Sequence, residues 1–368
     1  MTHVIRDDAA LAAALPALGA ARRVALDTEF HTERHYHPRL MLIQVRADDQ
    51  EPLIIDALAG IDLTPLARTL ETVQLVVHGG LADVEILHRL TDFSHGEIFD
   101  TQVAAGCAGD GWPVRLQELA QRHLAIHMDK AETLSDWSRR PLSPEQVRYA
   151  KEDVLVLAPL MDALVVKLAA FDSAQIARDC TQELYARAIV PADDDTAWRN
   201  LQAATALSDT ERGVARALAA WRESNARAQD VPRHQILSDS ILVDLARRQP
   251  RTIDAIRGNR RMPSQVWKRD GDAILACIDA GLAALAPALA FARDRPWRET
   301  VWAAARISER ARGVAAELML PEPILEKLSM NVMPGGWRRE ALGQDFESFF
   351  LGHRVIRYPG VYEDRDNS

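Results

Sequence analysis

The chain has 368 residues, 48% of them hydrophobic and 26% charged, which is enough for two or three compact domains and too balanced for a disordered or fibrous protein. No apolar run approaches the roughly 20 residues that span a bilayer, and the first ten residues lack the apolar core of a signal peptide, so no membrane partner is expected. The net charge of −9 hides a division that keeps a nucleic-acid partner open: residues 1–170 hold 16 Lys/Arg against 25 Asp/Glu, residues 171–368 hold 28 of each, and residues 211–270 hold 13 basic against 7 acidic side chains, an order that suits carboxylates for cations followed by a surface for phosphates.

β-rich runs come first, at Arg23–Phe30, Leu40–Val45, Pro52–Asp56 and Gln74–His78, with helical patterns after them. The short separations of the first three suggest an antiparallel meander, and the later strand–helix alternation suggests parallel additions. In the first run, a period of two sets Leu26, Thr28 and Phe30 on one side and Asp27 and Glu29 together on the other. Two carboxylates on one face of a central strand repel each other and resist desolvation, which invites a cation; a solvent-facing strand edge shows the same pattern. Asp83 follows Val76-Val77-His78-Gly79-Gly80, where a strand ends and a helix begins. That place also suits an ordinary first-turn acid that complements the helix dipole.

Farther along, Ser143-Pro144-Glu145-Gln146 supplies a capping Ser, a Pro at the first helical position and a Gln three residues after the cap. The helix it opens carries Tyr149 and Asp153 four residues apart and therefore on one face, with Val147, Val154, Leu155 and Leu157 expected on its buried side. From about residue 175 no strand pattern remains. Helical stretches are punctuated by prolines, and the acidic Pro191–Asp195 is the expected linker. Cys107, Cys180 and Cys277 are widely spaced and odd in number, so buried free thiols in a reducing cytoplasm are expected rather than a zinc site or a disulfide framework.

These residues in combination carry a resemblance. Asp27-Thr28-Glu29-Phe30, with Tyr36-His37-Pro38 and Leu42-Ile43-Gln44, resembles the first exonuclease motif of the ribonuclease D family. His78-Gly79-Gly80 through Asp83 resembles the second, and Asp136-Trp137, Arg140-Pro141-Leu142 and Tyr149-Ala150-Lys151-Glu152-Asp153-Val154 resemble the third and its approach. These are the marks of the DEDD exonucleases. Tyr149 four residues before Asp153, with Arg148 where the histidine subclass would have His, implies the tyrosine subclass. Lys151 and Glu152 stand where the family usually has small residues, off the Tyr149/Asp153 face.

The resemblance covers roughly residues 20–160. It implies an α/β ribonuclease H-like exonuclease domain over residues 1–192, a mixed sheet flanked by helices. It also implies a 3′→5′ exoribonuclease that releases nucleoside 5′-monophosphates, with catalytic residues Asp27, Glu29, Asp83, Tyr149 and Asp153. Its cofactors would be two divalent cations, Mg²⁺ or Mn²⁺, about 3.5–4 Å apart, since oxygen ligands favour these ions and no His/Cys cluster competes. In that scheme Asp27 bridges both ions, Glu29 and Asp153 complete the nucleophile-side one, Asp83 holds the other through water, and Tyr149 orients the attacking water. The implied partner is RNA with a free 3′ end, tRNA precursors in particular, with no obligate protein partner evident.

The remainder reads as one or two all-α bundles. Residues 207–288 resemble the HRDC domain through Ala219-Ala220-Trp221-Arg222-Glu223, Val231-Pro232-Arg233, Ile236-Leu237-Ser238-Asp239 and Gly271-Asp272-Ala273-Ile274-Leu275. Residues 290–368, with Leu318-Met319-Leu320-Pro321 and Gly335-Gly336-Trp337-Arg338, resemble a second, diverged module. Within the first, Arg247, Arg248, Arg251, Arg257, Arg260, Arg261, Lys268 and Arg269 fall in one short stretch, residues 247–270, opposed there only by Asp254 and Asp270. They form a candidate phosphate-tracking patch, although a soluble helical surface is the plain alternative. Trp221 and Trp267 suit packing better than base stacking. Two other functions stay open: a DNA 3′→5′ exonuclease using the same site, though no phosphate-cradling Gly-Lys-Ser/Thr loop points to a polymerase or helicase, and a non-catalytic RNA-binding protein.

Overall fold

The structure, a computed structural model, describes residues 4–128, 135–190, 193–203, 206–284, 295–357 and 361–364. Pro191 and Ala192 of the expected linker and residues 290–294 at the head of the expected third domain lie outside the described residues. The chain divides into two compact units, one of Met1–Phe30, Leu40–Val190 and Ala292–Ser368, the other of His31–Arg39 and Pro191–Phe291.

The first unit is built on a six-stranded sheet of β1 (Val4–Ile5), β2 (Arg23–His31), β3 (Arg39–Ala47), β4 (Leu53–Asp56), β5 (Gln74–Val77) and β6 (Ile98–Asp100), in the order β1-β4-β3-β2-β5-β6. β3 and β4 are antiparallel, with Ile43 opposite Ile55, while β1, β5 and β6 join as parallel strands. Meander and parallel additions are thus both present. The sequence pattern missed β1 and β6, which at two and three residues are too short to show a period. β2 is central, flanked by β3 and β5.

Alternation along β2 gives each face of the sheet its own core. Val24 and Leu26 join Leu75, Val77 and the helical residues Leu11, Leu66, Val84 and Leu87 on one face. On the other, Ala25 and Val76 meet Val154 and Leu157, and Leu42 and Ile54 meet Trp137, Ala150 and Tyr149. The Pro144–Leu155 helix therefore covers the face toward which Asp27 and Glu29 point.

The C-terminal helices Arg295–Arg312, Glu322–Ser329 and Gly336–Phe350 belong to the same unit. Ala315 N donates to Gly106 O at 2.7 Å and Gly109 N donates to Gly313 O at 2.7 Å. Gly313 sits at φ +72, and a Cβ there would come within 2.6 Å of the Phe171 ring, so both backbone sign and space require glycine. Trp337 Nε1 donates to Glu183 at 3.1 Å, and Arg338 pairs with the same carboxylate. Beyond these helices Arg354–Arg357 pairs antiparallel with Val361–Asp364, a strand ribbon that the sequence did not announce because neither four-residue piece is long enough to establish alternation.

The second unit is helical. Asp209–Gln229, Asp239–Arg248 and Ser264–Ala283 close around Leu218, Leu242, Leu245, Ile274 and Ile278, and Ser208 and Glu211 form a reciprocal capping box at the head of the first. The expected linker is not loose from residue 193 onward. Asp194–Asn200 is a 3-10 helix whose Trp198 is 1% exposed in the helical core, and Asp194 and Asp195 pair with Arg227 and Arg216. Acidic composition marked those residues as a linker, but the charges of Asp194 and Asp195 are matched by two arginines about three turns apart on Asp209–Gln229. No helix among the described residues is long and apolar enough to cross a membrane.

Candidate active site

Carboxylate oxygens of Asp27, Glu29 and Asp153 all lie within 4.8 Å of one another. Asp27 and Glu29 reach this place because Leu26 and Thr28, 1% and 7% exposed, turn the other way along β2. Asp153 reaches it from the Pro144–Leu155 helix, whose start is held by the expected capping box: Gln146 N donates to Ser143 Oγ at 3.1 Å and Ser143 N to Gln146 Oε1 at 3.0 Å. Such a cap stabilises a helix start by about 1 kcal/mol.

Tyr149, one turn before Asp153, packs against Met41, Leu42, Ile54 and Trp137, its ring 6.0 Å from that of Trp137. The segment leading into the helix is pinned by Arg140, which grips Asp56 of β4 through Nε at 2.7 Å and Nη2 at 2.6 Å and donates to Trp137 O at 2.8 Å. The helix's buried side is Gln146, Ala150, Asp153 and Val154. Leu155, expected there, is exposed, because a step of about 100° past Val154 carries it off the face.

Asp83 stands beside this cluster rather than within the three-carboxylate set. It is the third residue of the Leu81–Thr91 helix, buried, and accepts a hydrogen bond from the Thr28 hydroxyl. Gly80 lets this helix start close to the sheet: a Cβ there would lie 2.8 Å from Val77 Cβ and 3.2 Å from Asp83 Oδ2. The preceding turn is held by Asp100, whose buried carboxylate accepts from Gly79 N at 2.9 Å, Gln102 N at 2.8 Å and the Tyr185 hydroxyl at 2.8 Å. Sequence reasoning missed Asp100 and Thr28. An acid closing a short apolar run just before Thr101-Gln102-Val103 is an N-cap signal, and it would have found Asp100.

Electrostatically the site is starved of positive charge. Among the described residues none of Asp27, Glu29, Asp83 and Asp153 is ion-paired. Burial, then the neighbouring charges of Asp83, Asp153 and Glu29, push Asp27 well above the carboxylate range. Glu29 is pushed up to about 8 by burial and then by Asp153 and Asp83. Asp153 rises to about 7 through burial and the charge of Glu152. Asp83 rises to about 6, burial outweighing the Thr28 bond. Four acids that cannot all ionise together favour a bound cation. An all-oxygen donor set with no Cys or His among the three ligands fits a hard divalent ion such as Mg²⁺ or Mn²⁺.

The eight basic residues of the candidate patch are all exposed, but half are already paired. Arg248 meets Asp244, Arg251 meets Asp279, Arg257 meets Asp254, and Arg269 meets Asp270. Asp244 lies one turn before Arg248 on the same helix, and the helical fold brings Asp279 to Arg251. Arg247, Arg260, Arg261 and Lys268 have no ion pair among the described residues, while Arg257 and Lys268 lie over the Trp267 ring at 5.1 and 5.5 Å. Trp221 and Trp267 pack against the bundle core.

Comparison with known proteins gives consistent results along the chain. Residues 2–169 match the 3′-5′ exonuclease family and residues 211–278 match the HRDC domain. A ribonuclease D of Zymomonas mobilis is 38% identical over 257 residues, an aligned stretch covering 67% of this chain and 64% of that protein. A ribonuclease D of Pseudomonas paraeruginosa is 32% identical over 361 residues, covering 92% of this chain and 95% of that protein. The crystal structure of Escherichia coli RNase D, an exoribonuclease involved in structured RNA processing, matches with a TM-score of 0.82 over 96% of this chain and 99% of its own, at 23% identity, which shows a shared fold.

Proposed function

Since the chain belongs to the ribonuclease D family, we propose that it is a 3′→5′ exoribonuclease that trims RNA from a free 3′ end, tRNA precursors in particular, and releases nucleoside 5′-monophosphates. The observation that carries this reading is the convergence of Asp27, Glu29 and Asp153 within 4.8 Å, without a counter-charge. Asp27, Glu29, Asp83 and Asp153 would hold two divalent cations, Mg²⁺ or Mn²⁺. When bound, those ions supply a nucleophilic hydroxide at neutral pH and relieve charge on the attacked phosphate and the departing oxygen.

The chain's own residues do the positioning. β2 presents Asp27 and Glu29 from a rigid central strand, and the capped helix presents Asp153 across from them. Tyr149, braced by Trp137, orients the attacking water through its phenol. The Arg/Lys surface of the helical unit supplies phosphate contacts that hold RNA, and residues 290–368 form a second HRDC-like module. Three cysteines without disulfide partners suit a reducing cytoplasm, where we place the enzyme.

The test is incubation with a 3′-extended tRNA precursor and a matched single-stranded DNA, in Mg²⁺, in Mn²⁺ and in EDTA. Stepwise 3′ shortening of the RNA, with 5′-monophosphates released and none in EDTA, is expected. Preferential shortening of the DNA would reassign the substrate, and no cleavage of either would leave an RNA-binding protein.

A further inference from the structure

Gln44 lies on β3 with 0% exposure, and neither its Nε2 nor its Oε1 has a hydrogen-bond partner among the described residues. A buried amide left in this condition is costly, and natural interiors tolerate few of them. Position says what the amide faces. Asp48 N donates to Arg23 O at 3.0 Å, which ties the end of β3 to the start of β2 and makes the two strands antiparallel. Counted four residues inward from that link along both strands, an unbroken ladder sets Gln44 opposite Asp27.

Side-chain direction agrees. On β4 the residue opposite Gln44 is Ile54, and Ile54 and Leu42 both pack beneath Trp137, Ala150 and Tyr149. Gln44 therefore projects to the face of the sheet covered by the Pro144–Leu155 helix, the same face as Asp27 and Glu29. Directly opposed residues of an antiparallel pair have Cβ atoms roughly 4.5–5.5 Å apart, within the reach of a glutamine side chain. On its face Gln44 is flanked by Leu42 and Arg46 on β3 and stands opposite Ile54 on β4. Arg46 turns its guanidinium to Gln50 O and Leu155 O, so a leucine or methionine would fill the Gln44 place without an amide to satisfy.

We propose that Gln44 is a positioning residue for the ion centre: its amide N–H donates to the Asp27 carboxylate when that carboxylate takes up a cation. The inference rests on the reading of the carboxylate cluster as a divalent-ion site. A neutral donor suits this position. It can fix the direction of a ligating carboxylate, as partners behind metal ligands do, without contributing a positive charge that would compete with the ion. A lysine or arginine opposite Asp27 would do the reverse.

The experiment is calorimetric titration of the full chain with Mn²⁺, without RNA, for the wild type and for Gln44→Leu, Gln44→Met and Asp27→Asn. Melting temperature in EDTA and kcat and KM on RNA are measured alongside. The expected result for both Gln44 variants is a loss of Mn²⁺ affinity of about tenfold or more, a lower kcat, an RNA KM within about twofold, and a melting temperature in EDTA equal to or above that of the wild type. Mn²⁺ affinities within twofold of the wild type would overturn the proposal and make Gln44 a packing residue. So would loss of the folded transition in both variants, which would mark the amide as a support of the fold. A wild type that takes up no Mn²⁺, or an Asp27→Asn variant that binds it unchanged, would instead remove the ion site itself.

Discussion

Two buried acids in this molecule have opposite surroundings. In the helical unit Glu223, with 5% of its side chain exposed, is bridged by Arg233 through Nε at 2.7 Å to both oxygens, lies 3.9 Å from Arg222, and accepts from the Tyr36 hydroxyl at 2.9 Å. In the nuclease unit Asp153, 6% exposed, has other carboxylates for neighbours and no ion pair among the described residues. A buried charge satisfied by its own fold is a structural element, and its removal leaves the partners stranded. A buried charge that its own fold leaves unsatisfied is open to something from outside. The contrast locates function more sharply than acidity does, since both regions contain acids.

The largest effect that would test this contrast is Asp153→Asn. Cleavage of RNA should fall by more than about a thousandfold, equivalent to about 4 kcal/mol of transition-state stabilisation, while the melting temperature in EDTA stays level or rises because a mutually repelling group is gone. Full activity in this variant would end the catalytic assignment. The mirror experiment is Glu223→Gln. Here the melting transition should drop, with a loss of about 3 kcal/mol for breaking a buried ionic network, and the Mn²⁺ affinity of the chain should be unchanged. Equal stability in the two variants would erase the distinction between them.

A pH series sharpens the same point. Glu29, Asp153 and Asp83 are pushed up to about 8, about 7 and about 6, each first by burial and then by neighbouring carboxylates: Asp153 and Asp83 for Glu29, Glu152 for Asp153, Asp100 for Asp83. Their folded-state affinity for protons thus exceeds that of the unfolded chain, where carboxylates titrate near pH 4. The folded state binds more protons between those limits, so the stability these groups permit is present in full near pH 4 and declines as pH rises toward 8. In EDTA the melting temperature should fall across roughly pH 5 to 8; with saturating Mg²⁺ or Mn²⁺ the decline should flatten, since a cation replaces the protons. A melting temperature in EDTA that climbs over the same interval would mean that these acids are matched by positive charge after all.

How much of this was legible in the sequence depended on distance along the chain. The Asp27/Glu29 alternation and the Ser143–Gln146 cap are local patterns, and both are present as read. β1 and β6 were invisible because two or three residues carry no period. Leu155 was misplaced because an apolar residue at a helix end was assumed to follow its neighbours inward. What could not be read at all was set by tertiary return. Tyr185 closes on Asp100 from 85 residues away. Asp244, four residues before Arg248 on one helix, was open to local reading, but Asp279 folds back onto an arginine that local counting had treated as unopposed.

That last return divides the basic surface into arginines already engaged and cations still available, and the difference can be measured. Counter-ions are released in proportion to the phosphates a protein neutralises, at about 0.7 per contact on single strands. Replacing Arg247, Arg260 and Arg261 by Ala removes three cations with no ion pair among the described residues. If all three contact phosphate, the slope of log affinity against log salt should become shallower by about 2. Replacing Arg251 and Arg257, whose charges are matched by Asp279 and Asp254, should change it by less than half as much, since each first has to leave a carboxylate to reach a phosphate. Both sets should leave cleavage at saturating RNA within about twofold, because neither touches the carboxylate cluster. An equal change per replaced residue in the two sets would mean that surface ion pairs of this strength, worth about 0–1 kcal/mol, yield to RNA without measurable cost, and that the whole patch acts as one field.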